Sequence, residues 1–173
     1  MHFNTPYRLS SSYNSKYSGY QTPIYPVPSY EMKGNALDVN CKFGDSTKKL
    51  SNKYPELNIY GIDKNPKFVE VAQKKYKNID FLNLNFEDYT GIPYNSFQVI
   101  QISDYDELFL TYQKSMSILD NSGLLIYNCK NKNHTKLLEN YLTFYQKSLF
   151  TNSYHPNKLS HFISDNTIFI FKG

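Results

Sequence analysis

The 173-residue sequence predicts an α/β domain built as a doubly wound, mostly parallel sheet. Three observations carry this reading. Short apolar runs at 36–39, 57–62, 80–84, 97–103 and 124–128 are each bounded by turn or capping residues. Between them lie segments with apolar residues at helical spacing, such as Phe68, Val69, Ala72 and Tyr76. Strand and helix alternate from the first run onward, which implies parallel strands joined by right-handed crossovers.

Each element has its own local reason. The first strand is expected over Ala36 to Val39, and Asp45-Ser46 are placed to cap a helix that runs to about Tyr54 and is stopped by Pro55. Leu57 to Ile62 forms the second strand, with Asp63 at its carboxyl end, and Pro66 opens the second helix from a favoured first-turn position. The third strand is Asp80 to Leu84; the loop after it holds Asn85, Phe86, Glu87, Asp88 and the Gly91-Ile92-Pro93 turn. Phe97 to Ser103 is the fourth strand, and Asp104-Tyr105-Asp106-Glu107 begins a helix whose dipole favours acids in the first turn. That helix is expected to reach about Leu119. Asn121-Ser122-Gly123 then turns the chain into a fifth strand, Leu124 to Asn128. A helix from about Thr135 to Lys147 precedes a final antiparallel hairpin, near Leu149 to Tyr154 and Thr167 to Phe171, which brings the sheet to seven strands.

Residues 1–33 read differently. They form a Tyr/Ser/Pro-rich N-terminal arm without a period of 2 or 3.6, held extended around Pro23, Pro26 and Pro28. Its six tyrosines suit packing on its own domain, on a partner protein or on a substrate base. The domain proper occupies residues 34–173.

Composition narrows the classes. A 40% hydrophobic and 17% aromatic content sustains one core and excludes wholesale disorder. The net charge of +4 is almost all lysine, Arg8 being the only arginine, and reads as a solvated surface more than a nucleic-acid face. Cys41 and Cys129 match no zinc or Cys-x-x-Cys spacing, so no metal is expected and both are read as reduced, buried thiols of an intracellular protein. No apolar run approaches the roughly 18 to 20 residues that span a bilayer. Met1-His2-Phe3-Asn4 lacks the basic-then-apolar order of a signal peptide, which points to a cytoplasmic location and no membrane partner. The abundance of Asn, Lys, Ile and Tyr over Arg, Gly and Ala is the bias of an AT-rich genome, such as that of a large virus or a parasite, and makes a virion the second location considered.

The stretch Leu37-Asp38-Val39-Asn40-Cys41-Lys42-Phe43-Gly44 organises the functional reading. In a doubly wound sheet the ligand lies outside the carboxyl ends of the strands, where strand order reverses. The turn after the first strand brings its backbone close to that ligand, which favours glycine. An acid about 20 residues later, at the end of the second strand, can accept from both ribose hydroxyls. Gly44 and Asp63 are 19 residues apart.

On these residues the chain resembles the class I S-adenosylmethionine-dependent methyltransferases, a Rossmann-like family, over about residues 35–173. Residues 37–44 are similar to its first motif, an apolar strand with an acid followed by Gly-x-Gly-x-Gly. Tyr60-Gly61-Ile62-Asp63-Lys64-Asn65-Pro66 resembles its ribose-binding second strand, Ile92 to Ile100 the approach to its fourth, and Leu119 to Ile126 its turn into the fifth. The hairpin closed by Thr167 to Gly173 also fits. The resemblance implies S-adenosylmethionine as cofactor. It implies that Asp38 holds the methionine end through its amino group or a water, and that Asn40 and Gly44 shape the turn. Asp63 would bind the ribose hydroxyls, Asn85 with the Phe86 backbone, or else Asp88, would address adenine, and Ser103 to Tyr105 would face the sulfonium and the substrate.

The departures from the motif are specific. Asn40 and Lys42 stand where the first two glycines are expected, and Gln98 replaces the usual fourth-strand aspartate. A lysine forced into a left-handed backbone costs on the order of 1 to 2 kcal/mol, which would weaken cofactor binding roughly 5- to 30-fold. A Lys42 side chain aimed into the pocket would repel a sulfonium. No Asn/Asp-Pro-Pro-aromatic signature of nitrogen methylation follows strand four. Lys130, Lys132, His134 and Lys136 after strand five are placed either to guide a phosphate-bearing substrate or to form a solvated loop. His155 and His161 are read as flanking the last hairpin's turn, and they and Asp104, Asp106 and Glu107 are the candidate bases. No catalytic residue is assigned, since an acceptor that is already nucleophilic needs no strong base.

Two functions follow, of different classes. One is methyl transfer to a nucleophile on a small molecule, protein or RNA. The other is a methyltransferase-fold pseudoenzyme that has lost its cofactor and serves as a structural or interaction module, for example in a virus particle, with the arm as its contact surface. A nicotinamide-dependent oxidoreductase is a third reading, disfavoured because Asn40 to Gly44 lacks the longer Gly-x-Gly-x-x-Gly pattern.

Overall fold

Side-chain alternation along the first strand divides the molecule into its two faces. Leu37 and Val39 of β1 (Gly34–Val39) belong to one buried cluster and Ala36 to another, as the period of two requires. The computed structural model describes residues 34–88, 90–103, 108–151, 159–164 and 166–172. The arm at 1–33, the acids Asp104, Asp106 and Glu107, Tyr105 and His155 lie outside these residues.

After β1 come α1 (Asp45–Lys53), β2 (Leu57–Asp63), α2 (Pro66–Lys75), β3 (Asp80–Asn83), β4 (Phe97–Ser103), α3 (Leu108–Ile118), β5 (Leu119–Asn128), α4 (Lys132–Thr151), β6 (Leu159–Ser164) and β7 (Thr167–Lys172). They build a seven-stranded sheet in the order β3-β2-β1-β4-β5-β7-β6. The pairings from β3 to β5 are parallel, and β7 runs antiparallel to both β5 and β6. The expected doubly wound, mostly parallel sheet with a terminal hairpin is therefore the observed one. Strand order reverses between β1 and β4, which places the switch point at the carboxyl ends of these two strands.

Helices cover both faces. Leu37, Val39, Ile100, Ile102, Leu125 and Tyr127 pack with Tyr112 and Ile118 of α3 and Leu138 and Leu142 of α4. Ala36, Ile59, Val99, Leu124 and Ile126 pack with Leu50 and Tyr54 at α1, and α2 adds Val69 and Ala72 against Phe81. Val99, Ile100 and Ile102 of β4 are fully buried, each worth roughly 1.5 to 3 kcal/mol of burial. No helix among the described residues is long and apolar enough to cross a membrane.

The larger departures from the expected boundaries fall at β5, α4 and β6. β5 begins at Leu119, five residues before the expected start, because fully buried Leu119 already pairs with Phe97. The register then jumps to Val99↔Leu124, so Asn121-Ser122-Gly123 is an irregularity inside the strand instead of a turn before it. Asp120 holds it locally, its Oδ1 accepting from the Ser122 N–H at 3.2 Å and hydroxyl at 3.3 Å. α4 starts at Lys132 in place of Thr135, since Asn131 Oδ1 accepts from the N–H groups of Asn133 and His134 at 3.0 and 3.1 Å. The expected strand near Leu149 to Tyr154 is not formed: α4 continues to Thr151, and the hairpin's first strand is Leu159–Ser164, fixed by its antiparallel register on β7. His161 consequently lies within β6 opposite Ile170 and does not flank a turn.

Candidate functional site

The turn between β1 and α1 keeps the backbone of a glycine-rich loop with one glycine. Asn40, Lys42 and Gly44 all have positive φ, at 63°, 50° and 82°. Asn40 Nδ2 donates to the Ser103 carbonyl at 2.7 Å, which ties the end of β1 to the end of β4 across the switch point. The Cys41 N–H donates to the Ile62 carbonyl at 3.1 Å, and the Lys42 N–H to Asp63 Oδ2 at 2.9 Å. The left-handed residues are thus held by the protein's own groups, and the cost expected to fall on cofactor affinity falls on folding. Gly44 has a second reason to be glycine: a Cβ there would lie 2.8 Å from Phe81 Cζ and 3.1 Å from Ala72 Cβ.

Asp63 sits at the carboxyl end of β2, 3% exposed. Besides Lys42, its other oxygen accepts from the Asn65 N–H at 2.8 Å, and Asn65 in turn caps α2 by accepting from the Lys67 N–H at 3.0 Å. An ionised carboxylate offers about four acceptor positions. Two serve the backbone, leaving two, the number a ribose diol needs.

A depression of about 210 Å³, open to solvent, lies beside this carboxylate and is lined by Val39, Asn40, Ile62, Asp63, Lys64, Leu84 and Phe86. It unites three of the residues picked from the sequence: Asn40, Asp63 and Phe86. Lys42 is half-buried and does not line it. Asn85, next to Phe86, donates from Nδ2 to Asp88 Oδ2 at 2.6 Å, while its buried Oδ1 has no hydrogen-bond partner among the described residues. Lys114 of α3 fixes this loop, donating to the carbonyls of Phe86 and, at 3.1 Å, of Glu87, with its ammonium 5.1 Å from the Phe86 ring centre. Burial holds the Lys114 pKa below the ordinary lysine value, against the opposing charges of Asp88 and Glu87.

Asp38 and Gly44 stand behind the turn and do not line the depression. Asp38 is fully buried on the α1 side; Oδ2 accepts from the hydroxyls of Ser46 at 2.6 Å and Thr47 at 2.7 Å, and Oδ1 from Gln101 Nε2 at 3.2 Å. Burial raises its pKa above 3.8, the three hydrogen bonds oppose that rise, and the Asp63 charge adds to it. The same burial, with the charges of Asp38 and Asp63, pushes the Cys41 thiol up to about 12, which removes it as a nucleophile. Gln98 lies away from the site, its Oε1 accepting from the Asn35 N–H at 2.7 Å near the start of β1. Ser103 joins the site through Asn40, and its Oγ accepts from Asn128 Nδ2 at 3.1 Å. Lys130, Lys132 and Lys136 are exposed around the start of α4. Among the described residues no group of three or more His, Cys, Asp or Glu side chains could hold a metal ion.

Gln101, Thr47, Lys114 and Asn128 were not singled out from the sequence; Ser46 was expected, with Asp45, to cap α1, but Gly44 occupies the cap position without a side-chain bond and the Ser46 hydroxyl goes to Asp38 instead. Gln101 carried a usable signal: it is the one polar residue within the run Val99 to Ile102, and a polar group in a central strand needs a partner on its own face. The others gave none.

The comparisons agree with this geometry. A family model described as a methyltransferase domain matches residues 36–123, just over half of the chain. No curated protein matches in sequence. The plantazolicin methyltransferase BpumL, solved in complex with SAH, superposes with a TM-score of 0.60 at 14% identity, covering 81% of this chain and 76% of its own. A TehB-like SAM-dependent methyltransferase from Corynebacterium glutamicum gives 0.58 at 12%, with 81% and 80% covered. With the turn, the acid after β2 and the sheet order in place, the chain belongs to the class I S-adenosylmethionine-dependent methyltransferases, a family whose cofactor is S-adenosylmethionine.

Proposed function

We propose that this domain binds S-adenosylmethionine over the carboxyl ends of β1, β2 and β4 and transfers its methyl group to a nucleophile. The observation that carries the reading is the left-handed turn Asn40–Gly44 with its Lys42 N–H bonded to Asp63. Asp63 has two acceptor positions left for the ribose hydroxyls and Phe86 walls the depression; Asn85, next to Phe86 but not lining the depression, carries a buried Oδ1 without a partner among the described residues, suited to an adenine amine. Asn40 and Ser103 border the side where the methionine end would lie, and Asp38 and Gly44 hold the turn from behind. When bound, the cofactor supplies an electrophilic methyl on a sulfonium. The protein's part is to hold it and bring an acceptor into line.

Calorimetric titration of the full chain with S-adenosylmethionine and S-adenosylhomocysteine tests this. Saturable heat that Asp63→Ala abolishes supports it, whereas no heat at millimolar ligand with folded protein overturns it.

The second reading, a methyltransferase fold working as an interaction module through residues 1–33, is favoured by one observation. The cavity enclosed within the depression is only about 10 Å³, far below the roughly 300 to 1,000 Å³ of ordinary small-molecule pockets. Deleting residues 1–33 should then abolish association with a partner while the domain stays folded.

A further inference from the structure

The carboxyl rim of the sheet carries a row of side-chain hydrogen bonds that runs strand to strand from β1 to β7. Asn40 Nδ2 donates to the Ser103 carbonyl at 2.7 Å, Asn128 Nδ2 donates to Ser103 Oγ at 3.1 Å, and Thr167 Oγ1 donates to Asn128 Oδ1 at 3.1 Å. Asn40 follows β1, Ser103 and Asn128 end β4 and β5, and Thr167 begins β7; Ser103↔Asn128 and Asn128↔Thr167 are register partners. Neighbouring backbone bonds frame the row: the Cys129 N–H donates to the Asn166 carbonyl at 2.8 Å, and the Lys42 N–H to Asp63.

We infer that Asn128 and Ser103 are positioning residues that keep Asn40, and with it the cofactor turn, in its left-handed shape. Ser103 is held at two points, its Oγ accepting from Asn128 and its carbonyl from the Asn40 amide, so the residue that Asn128 anchors is the one that presents an acceptor to Asn40. Asn128 is itself oriented by Thr167, since only with Oδ1 occupied by the threonine hydroxyl does its Nδ2 face Ser103. Asn40 sits at a positive φ that its amide bond helps to hold, so loosening Ser103 loosens the turn. The shape of the turn is in this way set from the acceptor side of the sheet, two and three strands away from the ribose acid. This rests on the proposed cofactor site for its consequence in binding, but the coupling itself is a property of the protein alone.

The test compares Asn128→Leu, Ser103→Ala, Ser103→Thr and the Asn128→Leu/Ser103→Ala double variant, in the full chain. Amide exchange read by NMR over Asn40 to Gly44, including the Asn40 side-chain amide, should accelerate about fivefold in both single variants, the equivalent of one lost hydrogen bond. Protection in β2 and α2 should not change. The double variant should match the singles instead of multiplying them, and Ser103→Thr, which keeps the hydroxyl, should show the wild-type exchange rate over Asn40 to Gly44. Where wild type binds S-adenosylmethionine, its Kd should rise by a similar factor in the single variants. Unchanged exchange at Asn40 to Gly44, or a uniform loss of protection across the domain, overturns the inference. Because exchange needs no ligand, absence of cofactor binding by wild type would remove the proposed function and leave this result standing.

Discussion

The backbone N–H of Lys42 and the carboxylate of Asp63 meet at 2.9 Å, joining the turn after β1 to the acid after β2 across 21 residues of sequence. Each stabilises what the other needs: Asp63 holds Lys42 in a conformation that lysine resists, and Lys42 orients a carboxylate that is almost wholly buried.

That bond sets an expectation for the two motif positions without glycine. Lys42→Gly removes a left-handed penalty of about 1 to 2 kcal/mol and adds an unfolded-state entropy cost of about 0.5 to 1 kcal/mol. Urea unfolding should show a net gain of up to about 1.5 kcal/mol. Asn40→Gly loses the amide bond to Ser103 and should show no gain. Equal gains at both positions would mean that the Asn40 bond contributes nothing.

Asp38 makes stability depend on pH in a definite direction. Burial raises its folded pKa above 3.8, so the folded state holds the proton more tightly than the unfolded chain. Stability from the neutral acid is complete below the unfolded value and is lost as pH rises through the raised folded value. The unfolding free energy of wild type minus that of Asp38→Asn should therefore fall as pH rises above about 4 and through the raised folded value. A difference that rises over this range would show that the hydroxyls of Ser46 and Thr47 outweigh burial.

Both cysteines are buried free thiols, and burial pushes up the pKa of each, that of Cys41 to about 12. A thiol reagent at mildly alkaline pH should leave native protein unlabelled and label both residues in denaturant. Rapid labelling of native Cys41 would contradict its place behind the turn.

Lys172 is a buried ammonium at the end of β7, donating to the carbonyls of Leu119 at 2.7 Å and Met116 at 3.0 Å and to Asn95 Oδ1 at 3.2 Å. Lys172→Met keeps the stem and strands these acceptors at the end of α3. A loss of roughly 1 to 3 kcal/mol is expected in urea unfolding, with exchange accelerated first at the carboxyl end of α3. A stability change near zero would mean that water replaces the ammonium fully.

The parts of the fold that were legible from sequence are those decided locally. β4 was read to the residue because Phe97 to Ser103 is a mostly apolar run with acids after it, and the start of α2 because Pro66 opens it. β6 was misplaced because a short apolar stretch carries no mark of its partner; its position is set by pairing with β7, not by its own composition. The site divides in the same way. Asp63 followed from its spacing to Gly44 and Asn40 from the resemblance to the first motif, while Asn128 and Lys114 act across 25 and 28 residues, and no periodicity links them to what they hold. Asp38 was found by motif, yet strand alternation alone puts it on the face of Ala36, towards α1, and that face decides what it touches.

Lys172 also has a consequence in time. Its three acceptors lie 53, 56 and 77 residues earlier, so the junction of α3 and β5 stays unlatched until β7 has docked between β5 and the position that β6 will take. β6 pairs with β7 at the sheet edge, so it joins the sheet with β7 or after it. Closure of such distant contacts is slow, and the assembly of this domain should end at the hairpin, with the parallel strands β1 to β4 formed before it.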